Sequence, residues 1–429
     1  MQNKPSKKTI AITSVIAICI AVIMFFLGYG TFYLSLSPAQ RETLWFVGMV
    51  DKHYYCYDEE KGEVKTFTAE EYLENLSTMV DAYSTYYTRE EYTEVISTSK
   101  GNRYGLGIYF ASNGTTEIIG LANNSPSKKV GVKVGSKVKS ITYGETTTSV
   151  ESFFQLNSAL DLIPIATDFT LTVEYGLQTE NYILSKQIYI ESYAEYFDNK
   201  ERVAFESDYG EKPTEKKESS DKMATLSENT AYISLSGFES NSAEQFGRLI
   251  TYAHQKGKTS LILDLRNNGG GYMDVLKKTA EYLIKSDKNI NLVALAKDKK
   301  GRKTKFNTSK NRYLPFETVV LANDGSASAT ECLIGAMLHY GTLEESRFIV
   351  EKRGNETLAH TYGKGIMQTT YRNIFSWSAV KLTTAYVYWP DKTTSIHGKG
   401  IFATQENSVQ KADATFDYAL DRAVSLLAN

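Results

Sequence analysis

Apolar residues crowd the first stretch of the chain and then settle into helical and alternating spacings. No residue between Lys8 and Arg41 is charged, and residues 10–36 are almost wholly apolar. About 20 such residues in a helix cross the hydrocarbon core of a bilayer. The pattern therefore predicts a transmembrane anchor over residues 9–36. The competing reading is a cleaved signal peptide, but its apolar core usually runs to about 7–15 residues and is followed by an A-x-A-like site. This run is longer and shows no clear site of that kind. Lys4, Lys7 and Lys8 precede it. By the positive-inside rule residues 1–8 form a cytoplasmic tail and the remaining chain lies outside the cytoplasm, anchored in the cell membrane by a single pass.

Residues 40–100 read as a helical region. Tyr72, Leu73 and Leu76 fall at helical spacing, and Thr88 followed by Glu90 and Glu91 marks a helix start. From Gly101 the pattern changes to short β runs at 106–110, 116–121 and 169–175, with a helix predicted over 149–162. Residues 211–222, EKPTEKKESSDK, contain no apolar residue except Pro213. They read as a solvated linker or hinge. Beyond them strands at 231–235, 260–265 and 318–322 alternate with helices at 243–256, 272–285 and 329–340. That alternation predicts an α/β layer. The fold class expected is thus α/β and α+β, multidomain: an N-terminal transmembrane helix, the helical region 40–100, a β-rich domain over 101–190 and an α/β core over 191–429.

Composition changes this picture little. A length of 429 residues allows roughly three folded units. The net charge of -2 offers no strongly basic face, so nucleic acid is not expected as a partner. The 30 tyrosines fit aromatic strand content. Cys19, Cys56 and Cys332 show no zinc-type spacing, and His53, His254, His339, His360 and His397 form no H-x-x-x-H pair. Neither a metal site nor a cofactor is expected.

Three segments in the core carry candidate chemistry. Residues 264–271, DLRNNGGG, run a buried strand into three glycines, whose exposed N–H groups suit an anion or oxyanion. A plain loop has the same composition. Residues 323–331, NDGSASATE, join a strand to an apolar helix. Ser328 there matches an S-x-x-E cap, yet a nucleophile at that helix N-terminus would gain from its positive end, and the Ala329 N–H would point to the same place. Residues 361–368, TYGKGIMQ, set Lys364 between two glycines, with Gln368 four residues on and on the same side of either a strand or a helix. A lysine in isolation is usually a solvated surface charge.

In this order the segments resemble the C-terminal processing peptidases, or tail-specific proteases. The resemblance extends over nearly everything after Thr43. It includes Leu44-Trp45, residues 83–87 (YSTYY), the Gly105-Leu106-Gly107-Ile108 loop, the Asn124–Ser127 and Gly131–Ser136 signatures and Leu382–Tyr386. It implies a PDZ-like domain over 101–190, with Leu106, Gly107 and Ile108 binding a peptide carboxylate, and a ClpP/crotonase-like serine peptidase core. Carried over residue by residue, Ser328 is the nucleophile, Lys364 the general base and Gln368 the residue that orients it. The oxyanion donors are the N–H of Ala329 and one N–H of Gly270 or Gly271. The sequence departs from the family where Gly269 replaces a usual Pro, Ser136 a usual Asp, and residues 400–404 lack the usual Pro-Asp. The gap from Ser328 to Lys364 also looks longer than usual.

The activity implied is a membrane-anchored serine endopeptidase working through an acyl-enzyme on proteins or peptides with a free C-terminus. A free lysine titrates near 10.4, and burial would lower that value enough for neutral Lys364 to accept the Ser328 proton. A Ser328–His360–Asp264 triad is the chemical alternative, although no G-x-S-x-G elbow is present. The functional alternative is a catalytically silent, membrane-anchored PDZ scaffold. A homo-oligomer is compatible with everything above.

Overall fold

The computed structural model describes residues 7–55, 57–58, 63–64, 81–99, 102–110, 114–122, 124–190, 192–198, 201–206, 214–219, 226–285, 290–412 and 416–428. They form two compact units, one of residues 1–92 with 368–384 and one of residues 93–367 with 385–429.

The first unit begins with the helix Lys7–Ser35. Its window Ile18–Ser35 is long and apolar enough to cross a membrane, with a mean hydropathy of 1.9 and no residue buried. A second helix, Pro38–His53, follows at once. Ser37 caps it: its hydroxyl accepts from the Gln40 N–H while the Gln40 side chain accepts from the Ser37 N–H. This reciprocal box fixes where the chain turns. Val50, Tyr54, Val380 and Leu382 form the buried core of the unit, with Trp45, Phe46, Met49 and Tyr371 packed against them. Thr85–Tyr87 pairs antiparallel with residues 379–381. Thr88 and Glu91 cap the helix Arg89–Ser99 as the sequence indicates. The helix expected around 69–76 lies outside the described residues.

The second unit opens with a β-rich subdomain. Asp168–Tyr175 is the spine of a four-stranded sheet, pairing with Gln178–Ser185 and with Lys137–Tyr143, which in turn pairs with Thr146–Ser149. The strand expected over 106–110 is broken at Leu106 and Gly107. Asn102–Gly105 pairs with Gln187–Ile190, whereas Ile108–Phe110 pairs with Ile118–Leu121. The helix expected over 149–162 spans only Phe153–Asp161, because Thr146–Ser149 is taken by the sheet and Ser152 caps the helix through the Gln155 N–H.

The rest of the second unit is built on an eight-stranded sheet in the order Thr214–Ser219, Glu201–Glu206, Ala194–Asp198, Thr230–Leu235, Ser260–Asp264, Glu317–Ala322, Phe348–Glu351, Ser408–Val409. Its last five strands are parallel. The stretch expected as a linker, 211–222, instead contributes the edge strand Thr214–Ser219. Its polar composition suits an edge, where backbone pairing is satisfied on one side only. Ser260–Asp264 is buried throughout and serves both faces. Leu261 and Leu263 join the helices Ser242–Gln255, Met273–Leu283 and Ala329–His339, while Ile262 joins Tyr418–Leu427. Two-sided burial explains why this strand is a continuous apolar run rather than an alternating one. Leu292–Asp298 pairs with Lys303–Asn307 and with residues 385–388.

Candidate active site

The strand Glu317–Ala322 ends in a turn that delivers Ser328 to the N-terminus of Ala329–His339. The turn is tied down on all sides. The Ser326 hydroxyl donates to the Leu265 carbonyl at 2.8 Å and accepts from the Asn323 N–H at 3.0 Å. The Ala327 N–H donates to the Asn268 carbonyl at 3.0 Å, and so does the Thr330 hydroxyl at 2.8 Å. The Asn268 side chain donates to the Leu235 carbonyl at 2.8 Å. Residues 267–271 are thus a cradle for the serine turn.

Ser328 itself has φ 59° and ψ −114°. A capping serine normally sits in the β region. This combination lies outside the regions open to an L-residue and costs on the order of 1–3 kcal/mol. Ser328 is half-buried.

Glu331 joins this turn to the Lys364 loop. Its carboxylate is fully buried and accepts four hydrogen bonds. One oxygen takes the Thr361 hydroxyl at 2.5 Å and the Gly363 N–H at 2.7 Å. The other takes the N–H groups of Ser328 at 2.8 Å and of Lys364 at 2.9 Å. The backbones of Ser328 and Lys364 therefore converge on one oxygen atom. Burial pushes the Glu331 carboxyl above the usual carboxylate range, against the pull of the four donors. The sequence showed Glu331 only as a helix cap; its other partners lie more than 29 residues away.

The glycines beside Lys364 are required by packing. A Cβ at Gly363 would lie 2.7 Å from the Gly400 nitrogen, and one at Gly365 2.6 Å from the His397 nitrogen. Segment 396–401 packs directly on them. It is fastened by bonds from the Gly398 N–H to the Gly363 carbonyl, from the Thr361 N–H to the Ile401 carbonyl and from the Ile401 N–H to the Thr361 hydroxyl.

Of the proposed oxyanion donors, Gly270 is already engaged, since its N–H donates to Asn268 Oδ1 at 3.0 Å. It matters instead as a contact: a Cβ there would lie 2.8 Å from Ser328 Cβ and 2.9 Å from the Ala329 nitrogen. Ala329 is the first residue of its helix, so its N–H has no intrahelical acceptor. Gly271, with φ 140°, is clamped against Phe238 by the Phe238 N–H to Gly270 carbonyl bond and the Tyr272 N–H to Phe238 carbonyl bond. Gly269 has open space where a Cβ would be, so a proline is not excluded there by packing.

Gln368 belongs to the first unit, where its side-chain amide lies 3.4 Å from the Thr383 hydroxyl. The triad alternative finds no geometry. The Asp264 carboxylate is held by the Arg266 guanidinium, at 2.7 Å from Nη2, and by the Tyr232 hydroxyl. His360 Nδ1 lies 2.6 Å from the Thr361 carbonyl, and its ring packs on Phe402.

In the β-rich subdomain, Leu106 is buried, Gly107 has φ 69° and Ile108 starts a strand. A Cβ at Gly107 would lie 2.2 Å from Ser125 Cβ. The Phe153 ring packs tilted against Phe110, centres 5.3 Å apart, Leu160 is partly buried on the subdomain core and Phe154 is exposed. Ser136 is buried, and its hydroxyl has no hydrogen-bond partner.

Residues 229–406 match Peptidase family S41. A CtpA-like serine protease of Staphylococcus saprophyticus is 27% identical over 405 residues, covering 92% of this chain and 70% of that protein. One from Staphylococcus haemolyticus is 34% identical over 174 residues, covering 41% of this chain and 32% of that protein. One from Staphylococcus epidermidis is 28% identical over 325 residues, covering 75% and 56%. The chain thus spans from about a third to just over half the length of these last two. Among solved structures, the photosystem II D1 C-terminal processing protease superposes with a TM-score of 0.52 at 19% identity, covering 92% of this chain and 98% of that one. An S41 protease structure from Bacteroides fragilis gives 0.51 at 12% identity, covering 90% and 97%. The fold is therefore the mixed α/β multidomain one of the processing protease.

Proposed function

We propose, from the match of residues 229–406 to Peptidase family S41, that this chain is a serine endopeptidase of the C-terminal processing type. The observation that carries the reading is Ser328, held at a helix N-terminus with a backbone conformation that a mere cap does not need. Strain of this kind persists where the surroundings enforce it, and it marks reactive positions.

In this mechanism neutral Lys364 accepts the proton of the Ser328 hydroxyl as Oγ attacks the substrate carbonyl carbon. The N–H groups of Ala329 and Gly271 hold the oxyanion. Lys364 returns the proton to the leaving amine, and water resolves the acyl-enzyme by the reverse sequence. Gln368 serves to orient Lys364. Glu331 fixes the two loops that carry nucleophile and base. The 101–190 segment acts as a PDZ-like module whose Leu106–Ile108 loop receives the carboxylate of a substrate C-terminus. The apolar helix Lys7–Ser35 anchors the chain by a single pass, with the peptidase on the extracytoplasmic side.

The test is digestion of an unstructured protein by the purified full chain. Ser328→Ala and Lys364→Ala should each lower the rate by about 10^3-fold or more while the fold persists. His360→Ala should leave it within about twofold. Retained cleavage by Lys364→Ala would overturn the Ser–Lys assignment, and a large loss in His360→Ala would restore the triad.

A further inference from the structure

The turn joining Ile366–Arg372 to Ala379–Tyr388 carries three large apolar side chains into solvent. Ile374 is 70% exposed, Phe375 76% and Trp377 48%. The turn is a built structure. The Asn373 side chain accepts from the Phe375 N–H at 3.0 Å, and the Asn373 carbonyl accepts from the Trp377 N–H at 3.0 Å. Trp377 is held at φ 64°, an unusual conformation for a bulky residue.

Its location within the first unit is the decisive point. The Phe375 ring lies 6.4 Å from the ring of Tyr33, in the last turn of the apolar helix Lys7–Ser35. Glu42, one turn into the next helix, accepts from Asn373 Nδ2 at 3.0 Å and from the Ser378 hydroxyl. The turn is therefore pinned beside the point where the candidate span Ile18–Ser35 ends. Three arginines lie near its rings and that of Tyr33. The Arg372 guanidinium lies 4.6 Å from the Trp377 ring centre, that of Arg89 6.0 Å from the same ring, and that of Arg41 5.9 Å from the Tyr33 ring. Aromatic side chains with nearby arginines at the end of a span match the headgroup region, where rings sit at the hydrocarbon boundary and guanidinium groups meet phosphate.

We propose that residues 374–377 insert into the bilayer interface beside the emerging helix, as a second membrane contact, with Arg41, Arg89 and Arg372 facing anionic headgroups. The proposal rests on the anchor reading above. It commits to lipid because the exposed apolar tip is continuous with the end of the span and three arginines lie against the rings of Trp377 and Tyr33 there.

The experiment uses the full chain reconstituted into vesicles of phosphatidylcholine and phosphatidylglycerol, with plain or brominated acyl chains. Wild type is compared with Trp377→Phe, which isolates the Trp377 emission from that of Trp45 and Trp389. A carbonate wash first tests the anchor: a chain that washes off overturns both the anchor and the insertion. With the chain retained, brominated lipid should quench the Trp377 emission by at least half, and Ile374→Ser with Phe375→Ser should relieve most of that quenching. A retained chain whose Trp377 emission is the same in both kinds of vesicle overturns the insertion and leaves the anchor standing.

Discussion

Glu331 illustrates how one residue can oppose stability and serve geometry. Its pKa is raised in the folded protein, so the ionised carboxylate costs folding free energy at neutral pH. That cost vanishes as pH falls below about 4.5, where the unfolded chain is also protonated. The charge is retained because only a carboxylate offers acceptors to Ser328, Lys364, Gly363 and Thr361 together. Glu331→Gln keeps the shape but points an NH2 group at two donors. It should lower kcat by roughly 100-fold, the usual cost of displacing reacting groups by about 1 Å, with KM little changed. Protonation of Glu331 has the same effect as the substitution. In the wild type, activity should therefore fall on acidification at a pH above the ordinary carboxylate range, and Glu331→Gln should lack that limb. A pH–rate profile of both proteins decides this; an acid limb unchanged in Glu331→Gln would remove Glu331 from the account. The sequence singles out Ser328 and Lys364 as candidates because each lies in a short motif. It does not show the strain at Ser328 or the bridging by Glu331, since both depend on partners brought from 30 or more residues away.

At the scale of elements, helix Ala329–His339 shows why close packing matters behind a site. A Cβ at Gly335 would lie 2.1 Å from the Trp389 indole, so the helix and segment 389–394 approach with no side chain between them. That segment is itself a tight turn around Asp391, whose carboxylate accepts from the Thr393 and Thr394 N–H groups at 2.9 Å. These bonds hold the Asp391 carboxyl down at about 2. Gly335→Ala should overpack this contact and destabilise the protein by about 1–3 kcal/mol. Urea unfolding measures it, and an unchanged midpoint would show that Trp389 yields freely. The parallel strands and helices of the core were readable because two-sided burial gives unbroken apolar runs. Thr214–Ser219 was not. Its sequence is polar throughout, and only its pairing with Glu201–Glu206 reveals it as a strand.

For the whole molecule, the proposed function gives the β-rich segment a share in substrate choice beside the peptidase core. Gly107 cannot carry a side chain beside Ser125, so the loop at Leu106–Ile108 keeps its backbone bare, as capture of a carboxylate by N–H groups requires. Peptides ending in a free, apolar C-terminus should bind the Ser328→Ala chain at least about tenfold more tightly than their amides, one charge-assisted contact being worth about 1.5–3 kcal/mol. Fluorescence anisotropy with matched peptides tests this, and equal affinity would leave the loop without a role in recognition. Changes in hydrophobic period along the chain suggest an order of domains. They do not suggest the division into units, because residues 368–384 return to the first unit after more than 270 residues spent in the second.

The fastening of the Lys364 loop by residues 396–401 also has a consequence in time. The Thr361 N–H and hydroxyl both bond Ile401, and the Gly363 carbonyl accepts from the Gly398 N–H. A ribosome that has synthesised Ser328, and even Lys364, has not yet made the segment that closes their loop. On the proposed mechanism the growing chain would carry Ser328 and Lys364 before the segment that fastens the Lys364 loop exists, so the centre would assemble only late in synthesis.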